Sequence, residues 1–224
     1  MVRLLVLAHP FAVIGGQHNQ RRIAQLQLVD GGRLENVDIS RLVMKDVGNP
    51  VFIRLGNRGR TYARRTRGGQ SADTQPEGTP VGTLKNVRIR DVVAEVTIED
   101  RAKAARAKYK KLKVDKRAEV NDRERSKAGP IMITGIPGHY VEDVKLENIE
   151  ISFPGGGTVE DTKREVPEDI ARYPEQFFFG VLPAWGAYIR HARNIEFRNV
   201  KLETRNADAR KKIILDDVED FIEK

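Results

Sequence analysis

Three arginines, Arg54, Arg58 and Arg60, lie close together in the stretch VFIRLGNRGR. A guanidinium is planar, stays charged, and pairs a carboxylate through two parallel hydrogen bonds. The chemistry these residues can supply is recognition of an acidic ligand; the alternative is a solvated basic loop. Two further candidates follow. His139 stands after Pro137 and Gly138, where it can close a turn or touch a ligand. Arg190 and His191 end a short apolar stretch (GAYIR), where they can face a ligand or make structural hydrogen bonds. The aromatic residues Tyr173, Phe177, Phe178, Phe179 and Trp185 can stack on a ligand's rings or pin a long loop. Asp216 and Asp217 are a carboxylate pair. The four histidines, His9, His18, His139 and His191, show no ligand spacing, and there is no cysteine. No metal and no cofactor is expected, and disulfides, thiolate sites and a cysteine nucleophile are excluded.

The elements that position these residues come from 224 residues, enough for one domain or two and for a real core. Charged residues make up 32% and mean hydropathy is −0.51, yet Val, Ile and Leu are frequent enough to fold. No run reaches the ~20 apolar residues of a membrane span. The net charge of +8 is local. Residues 101–127 carry 12 basic and 4 acidic side chains, and residues 58–67 carry five arginines and no acid. The remainder is acidic, with 23 basic against 28 acidic residues. A nucleic-acid binder would use these basic runs, but they lack interleaved aromatics for base stacking, so that reading is disfavoured.

Internal repetition dominates the chain. Four eleven-residue units align without gaps: 34–44 (LENVDISRLVM), 84–94 (LKNVRIRDVVA), 141–151 (VEDVKLENIEI) and 192–202 (ARNIEFRNVKL). A fifth begins at Val218 (VEDFI). Apolar residues at positions four and six alternate with polar ones, the period of a half-buried strand. The step from six to nine breaks that period at a polar residue, often Asn, which tolerates a left-handed backbone. Each unit therefore reads strand, bend, strand. Short apolar stretches lie between the units: PVFIRL, PIMIT, GAYIR and KIIL. Successive units start 50, 57, 51 and 26 residues apart. The last spacing gives a β-solenoid coil of about 25 residues, and the longer ones are coils with inserts.

The inserts are placed at 56–83, 97–129 and 152–183. The first is rich in Arg, Gly, Thr and Pro and reads as a mobile loop. Residues 100–127 favour Ala, Lys, Arg and Glu and read as a solvated helix ended by Gly129-Pro130. The third holds Pro, Gly and the aromatic cluster Tyr173, Phe177, Phe178 and Phe179, clamped onto the side of the rod. Residues 1–25 stand apart from the repeats, which occupy 26–224. Leu4 to Ala8 begins like a signal peptide, but His9-Pro10 interrupts it.

Four stretches in order resemble the C-terminal half of glycoside hydrolase family 28, the polygalacturonase family, in its bacterial pectin-degrading branch. They are LVDGGRLENVDISRLVMKDVGNPVFIRLGNRGR, EGTPVGTLKNVRIRDVVAEV, ITGIPGHYVEDVKLENIEISFPGGG and EVPEDIARYPEQFFFGVLPAWGAYIRHAR, with IILDDV near the end. The resemblance covers about residues 26–222 and is specific in its four-part order. It implies an all-β fold, a right-handed parallel β-helix, truncated here, with the helical insertion at about 100–127. It implies hydrolysis of pectic galacturonan by inversion in the intact family, and a secreted or periplasmic location.

Inversion needs a carboxylic acid and a carboxylate base ~6.5–9.5 Å apart. The family's N-x-D, D-D, G-H-G and R-x-K motifs precede the matched part, Gly138-His139-Tyr140 is not G-H-G, and Asp216-Asp217 stands in another context. No catalytic residue is carried over, and the chain alone is expected to be inactive. What remains is a binding surface for pectic polysaccharide or oligogalacturonide, with Arg54, Arg58, Arg60, His139 and Arg190 as its candidate residues. The alternative is a non-catalytic carbohydrate-binding or structural β-solenoid. A truncated coil stack also exposes a strand edge, which predicts self-association.

Overall fold

The computed structural model describes residues 7–8, 13–14, 24–59, 80–98, 122, 125–172 and 174–224. They are nearly all-β. The strands are β1 (Leu7–Ala8), β2 (Val13–Ile14), β3 (Ala24–Leu28), β4 (Arg33–Val47), β5 (Val51–Leu55), β6 (Thr83–Val96), β7 (Ile131–Thr134), β8 (Val141–Phe153), β9 (Ala184–Thr204) and β10 (Lys211–Glu223). Of residues 1–25, the described parts are β1, β2 and the start of β3; β1 pairs with β4 and β2 with β3, both antiparallel.

The repeat predicts the pairing. Position one stacks as Leu34, Leu84, Val141, Ala192 and Val218, all in parallel register across β4, β6, β8, β9 and β10. Position four stacks as Val37, Val87, Val144, Ile195 and Phe221 in the same ladder. The short stretches between the units form a second parallel ladder through β3, β5, β7, β9 and β10, with Leu26, Ile53, Ile133, Ile189 and Leu215 in line. Strands β3 to β8 alternate between the two ladders, and the long β9 and β10 run through both. Inward side chains from both ladders, among them Leu34, Val87, Ile133, Leu146, Ile189 and Phe197, make one core. Among the described strands β10 pairs with β9 alone, and it keeps Leu215 and Ile222 exposed.

The bend at position eight is present, at Arg41, Asp91, Asn148 and Asn199, with φ between 51° and 59°. A second bend was not foreseen. Position three is left-handed in every copy, at Asn36, Asn86, Asp143, Asn194 and Asp220, with φ between 52° and 60°. Asn and Asp sit there because their short side chains tolerate this backbone, and because stacked copies bond one another. Asn194 Nδ2 donates to Asp143 Oδ1 at 2.6 Å, and Asn86 donates to Asn36. At position eight, Asn199 donates to Asn148 at 3.0 Å and Asn148 to Asp91 at 3.1 Å. Asn148→Val would put a β-branched residue at φ 53° and break both rungs of this ladder. It is expected to cost about 2 kcal/mol, measured by urea unfolding.

The loop expected within 56–83 lies outside the described residues for 60–79. The helix expected over 100–127 also lies outside them, except for Asp122 and 125–127, where Ser126 N–H donates to the Asp122 carbonyl at 2.9 Å in a helical turn. The third insert is described apart from residue 173. It makes two 3₁₀ turns, Glu160–Lys163 and Gln176–Phe179, and lies on the outward face of β5, β7 and β9. There Phe179 and Leu182 pack with Phe52, Met132 and Tyr188. β5 and β7 are therefore buried at every residue, one face in the core and the other beneath this segment. Of the aromatics expected to clamp it, Phe179 meets Phe52 edge-on at 6.5 Å, while Trp185 packs on Phe153 at 6.0 Å and Phe178 stays partly exposed.

Candidate functional site

Strand alternation points Arg54 outward, in line with Thr134 on β7 and Arg190 on β9. The covering segment encloses it, leaving it 1% exposed. Nη1 donates to Thr134 Oγ1 at 3.1 Å and to the Gly135 carbonyl at 3.0 Å. Nη2 donates to the carbonyls of Glu168 and Asp169 at 2.9 and 3.0 Å, and the guanidinium lies over the Phe179 ring. Burial pulls its pKa down to about 10, against the opposing pull of Glu168 and Asp169. Its donors are thus taken by protein oxygens.

Arg58 makes a two-pronged pair with Asp30, Nε to Oδ1 at 3.0 Å and Nη2 to Oδ2. Arg60 lies outside the described residues. His139 closes a turn through its backbone, accepting from Ile136 N–H at 3.0 Å and donating to the Ile136 carbonyl at 2.8 Å, with Gly138 at φ 76° between them. Arg58 and His139 thus bond Asp30 and Ile136, partners distinct from those of Arg54.

Arg190 is brought into a polar cluster at the bend where β9 and β10 pass from one ladder to the other. Its Nε donates to Asp216 Oδ2 at 2.6 Å, and Nη1 to Glu168 Oε1 at 3.1 Å and the Val166 carbonyl at 2.9 Å. His191, left-handed at φ 46°, places Nδ1 2.6 Å from Asp217 Oδ2 and Nε2 3.1 Å from Glu168 Oε2. Ionised carboxylates only accept, so both contacts are hydrogen bonds when each ring nitrogen carries a proton. Tyr188 OH donates to Asp216 at 3.1 Å and Tyr140 OH to Asp217 at 3.2 Å. Glu168 belongs to the covering segment, so the cluster also ties that segment to the ladder.

The electrostatics favour hydrogen bonding over acid catalysis. The His191 contact holds the Asp217 carboxyl below its ordinary value, helped by Tyr140. A general acid at neutral pH needs the opposite shift. The other displaced carboxyls among the described residues, Asp161, Glu196 and Asp208, also move down. No group of three or more His, Cys, Asp or Glu among the described residues is arranged to hold a metal ion. No helix among them is long and apolar enough to cross a membrane.

Sequence reasoning found Arg190 and His191 but gave Asp216 and Asp217 no role. A signal was available. The last unit starts 26 residues after the one before it, and that spacing sets Asp216 on Arg190 and Asp217 beside His191. Glu168 carried no such signal, because the covering segment has no period. No family model, curated protein or solved structure matches the chain.

Proposed function

We propose that this chain forms coils of a right-handed parallel β-helix of the glycoside hydrolase family 28 kind and binds pectic galacturonan, without a catalytic carboxylate pair of its own. The observation that carries this reading is the alternation of successive strands between two parallel ladders, which is how a winding chain lays down coils. A strand that returns parallel to its predecessor makes a crossover, and such crossovers are nearly always right-handed. The four-part resemblance supplies the polymer, and it carries over no catalytic carboxylate to this chain. A stack of coils offers an extended surface suited to a linear polysaccharide.

Calorimetric titration with oligogalacturonate, run beside an assay of reducing-sugar release from polygalacturonate, tests the proposal. Saturable binding with no sugar release is expected, and binding weakens as salt is raised. Sugar release by the chain alone overturns the non-catalytic assignment, and failure to bind overturns the ligand.

A further inference from the structure

The outward face of the ladder β4, β6, β8, β9 and β10 is not covered by the 154–183 segment and carries a charge lattice that no role has yet absorbed. It is built by unit positions five and seven, which alternate with the buried positions four and six. Arg88 Nε pairs with Glu147, which also faces Arg198 Nη1 at 3.6 Å. Arg198 Nη2 donates to Glu196 Oε1 at 2.7 Å. Glu196 further meets Lys224 Nζ at 3.3 Å and Lys145 Nζ at 3.8 Å. Glu196 and Arg198 share one strand, and the partners of the other four pairs stand 59, 51, 28 and 51 residues apart, so it is the stacking that joins the lattice.

Two features make the strip of positions five and seven electropositive. Among the described residues, Arg88, Lys145, Arg198 and Lys224 pair with Glu147 and Glu196, so four cations meet two carboxylates. The carboxylates also lie beneath: Glu147 and Glu196 are 10% exposed, whereas the four cations are 50, 49, 54 and 58% exposed. The Arg198 hydrogen bond and the Lys224 contact hold Glu196 below its ordinary carboxylate value, which keeps it ionised as an anchor. The cationic heads are therefore held in rows on a sheet whose rungs are ~4.8 Å apart.

We infer that this sheet face docks a linear acidic polysaccharide, its carboxylates meeting Arg88, Lys145, Arg198 and Lys224. The inference rests on the galacturonan reading and gives it a surface, since Arg54 and Arg58 already bond protein groups. A galacturonan carries one carboxylate on every sugar, so an extended chain presents a regular row of anions to a regular row of cations. Single-stranded nucleic acid fits less well. Positions five and seven of this face hold Asp38, Ser40, Arg88, Arg90, Lys145, Glu147, Glu196, Arg198 and Ile222 in register, with Lys224 just after β10, and no aromatic ring for a base to stack on.

The test is calorimetry of the full chain with oligogalacturonate and, separately, with a single-stranded DNA oligonucleotide. Lys145→Gln combined with Lys224→Gln removes two heads and leaves the Arg198 hydrogen bond to Glu196 in place, and circular dichroism checks that the variant folds. About a 5-fold loss of oligogalacturonate affinity and a shallower salt dependence are expected. The charge-keeping pair Lys145→Arg and Lys224→Arg is expected to retain binding. A parent that binds while the Gln pair binds equally well overturns this surface and leaves the galacturonan reading standing. A parent that binds no oligogalacturonate overturns both. A parent that binds the DNA more tightly, with the Gln pair losing that binding, overturns the polysaccharide as occupant.

Discussion

Arg54→Met is expected to destabilise the protein by about 3–5 kcal/mol, read as a lowered urea midpoint at constant slope. The substitution keeps apolar bulk but strips donors from Thr134 Oγ1 and from the carbonyls of Gly135, Glu168 and Asp169. These acceptors lie between the β5–β7–β9 face and the segment that covers it, where water does not replace a lost donor. With a pKa of about 10, the native guanidinium stays charged at neutral pH, so each of these hydrogen bonds is charge-assisted. Arg190 also ties the segment down, through the Val166 carbonyl and Glu168. Limited proteolysis is therefore expected to cut within 164–182 sooner in Arg54→Met than in the parent. A stability change below about 1 kcal/mol with unchanged cleavage would contradict this account of the segment.

Asp161→Asn is the second large effect, about 2–4 kcal/mol. Asp161 is buried at the start of the 3₁₀ turn Glu160–Lys163, and four groups donate to it. Arg125 reaches both oxygens, Arg164 Nε lies 2.8 Å away, and the Thr158 N–H and hydroxyl lie 2.8 and 3.2 Å away. The Asp161 N–H meets Thr158 Oγ1 in return at 3.3 Å, a reciprocal cap. An amide in that position loses the charge opposite two guanidinium groups and turns an NH₂ toward donors. Burial alone raises the Asp161 carboxyl, but Arg125, the Thr158 backbone and Arg164 outweigh it and hold the group well below the usual carboxylate range.

The sign of the pH dependence follows. An unfolded Asp titrates near ~3.9, and a depressed folded value makes the contribution complete above that point and lost as pH falls through the folded value. The parent is expected to lose stability below about pH 4, and Asp161→Asn to lose less over the same interval. Identical acid profiles would contradict the assignment.

The ladder register was legible because every unit places the same kind of residue at the same position. Leu34, Leu84, Val141 and Ala192 align by eye, and the structure pairs them. The left-handed residue at position three was visible as a column of Asn and Asp, yet the apolar period on either side gave no break to mark it. Arg54 stands on a strand formed by the apolar stretch PVFIRL, but its cover is not legible in the sequence, because a segment without a period has no predictable docking face. Glu168 reaches Arg190 and His191 only through that cover. Asp216 and Asp217 fall under Arg190 and His191 by arithmetic on the unit spacing. The lattice of Glu147 and Glu196 is half legible: alternation shows which side chains point outward, but their sharing among four cations needs the rungs stacked.

All of these effects depend on adjacent units lying parallel and in register. The absence of cysteine makes a direct test clean. Val43 and Val93 are exposed and are Cα partners across β4 and β6, while Val43 and Lys201 stand three rungs apart in the same column. Paired backbones at ~4.8 Å are within disulfide reach, and three rungs, about 14 Å, are not. Mild oxidation of Val43→Cys/Val93→Cys is predicted to close an intramolecular disulfide in nearly all molecules, with none forming in Val43→Cys/Lys201→Cys. No bridge in the first pair, or equal bridging in both, would contradict the stacked coils on which the binding surface rests.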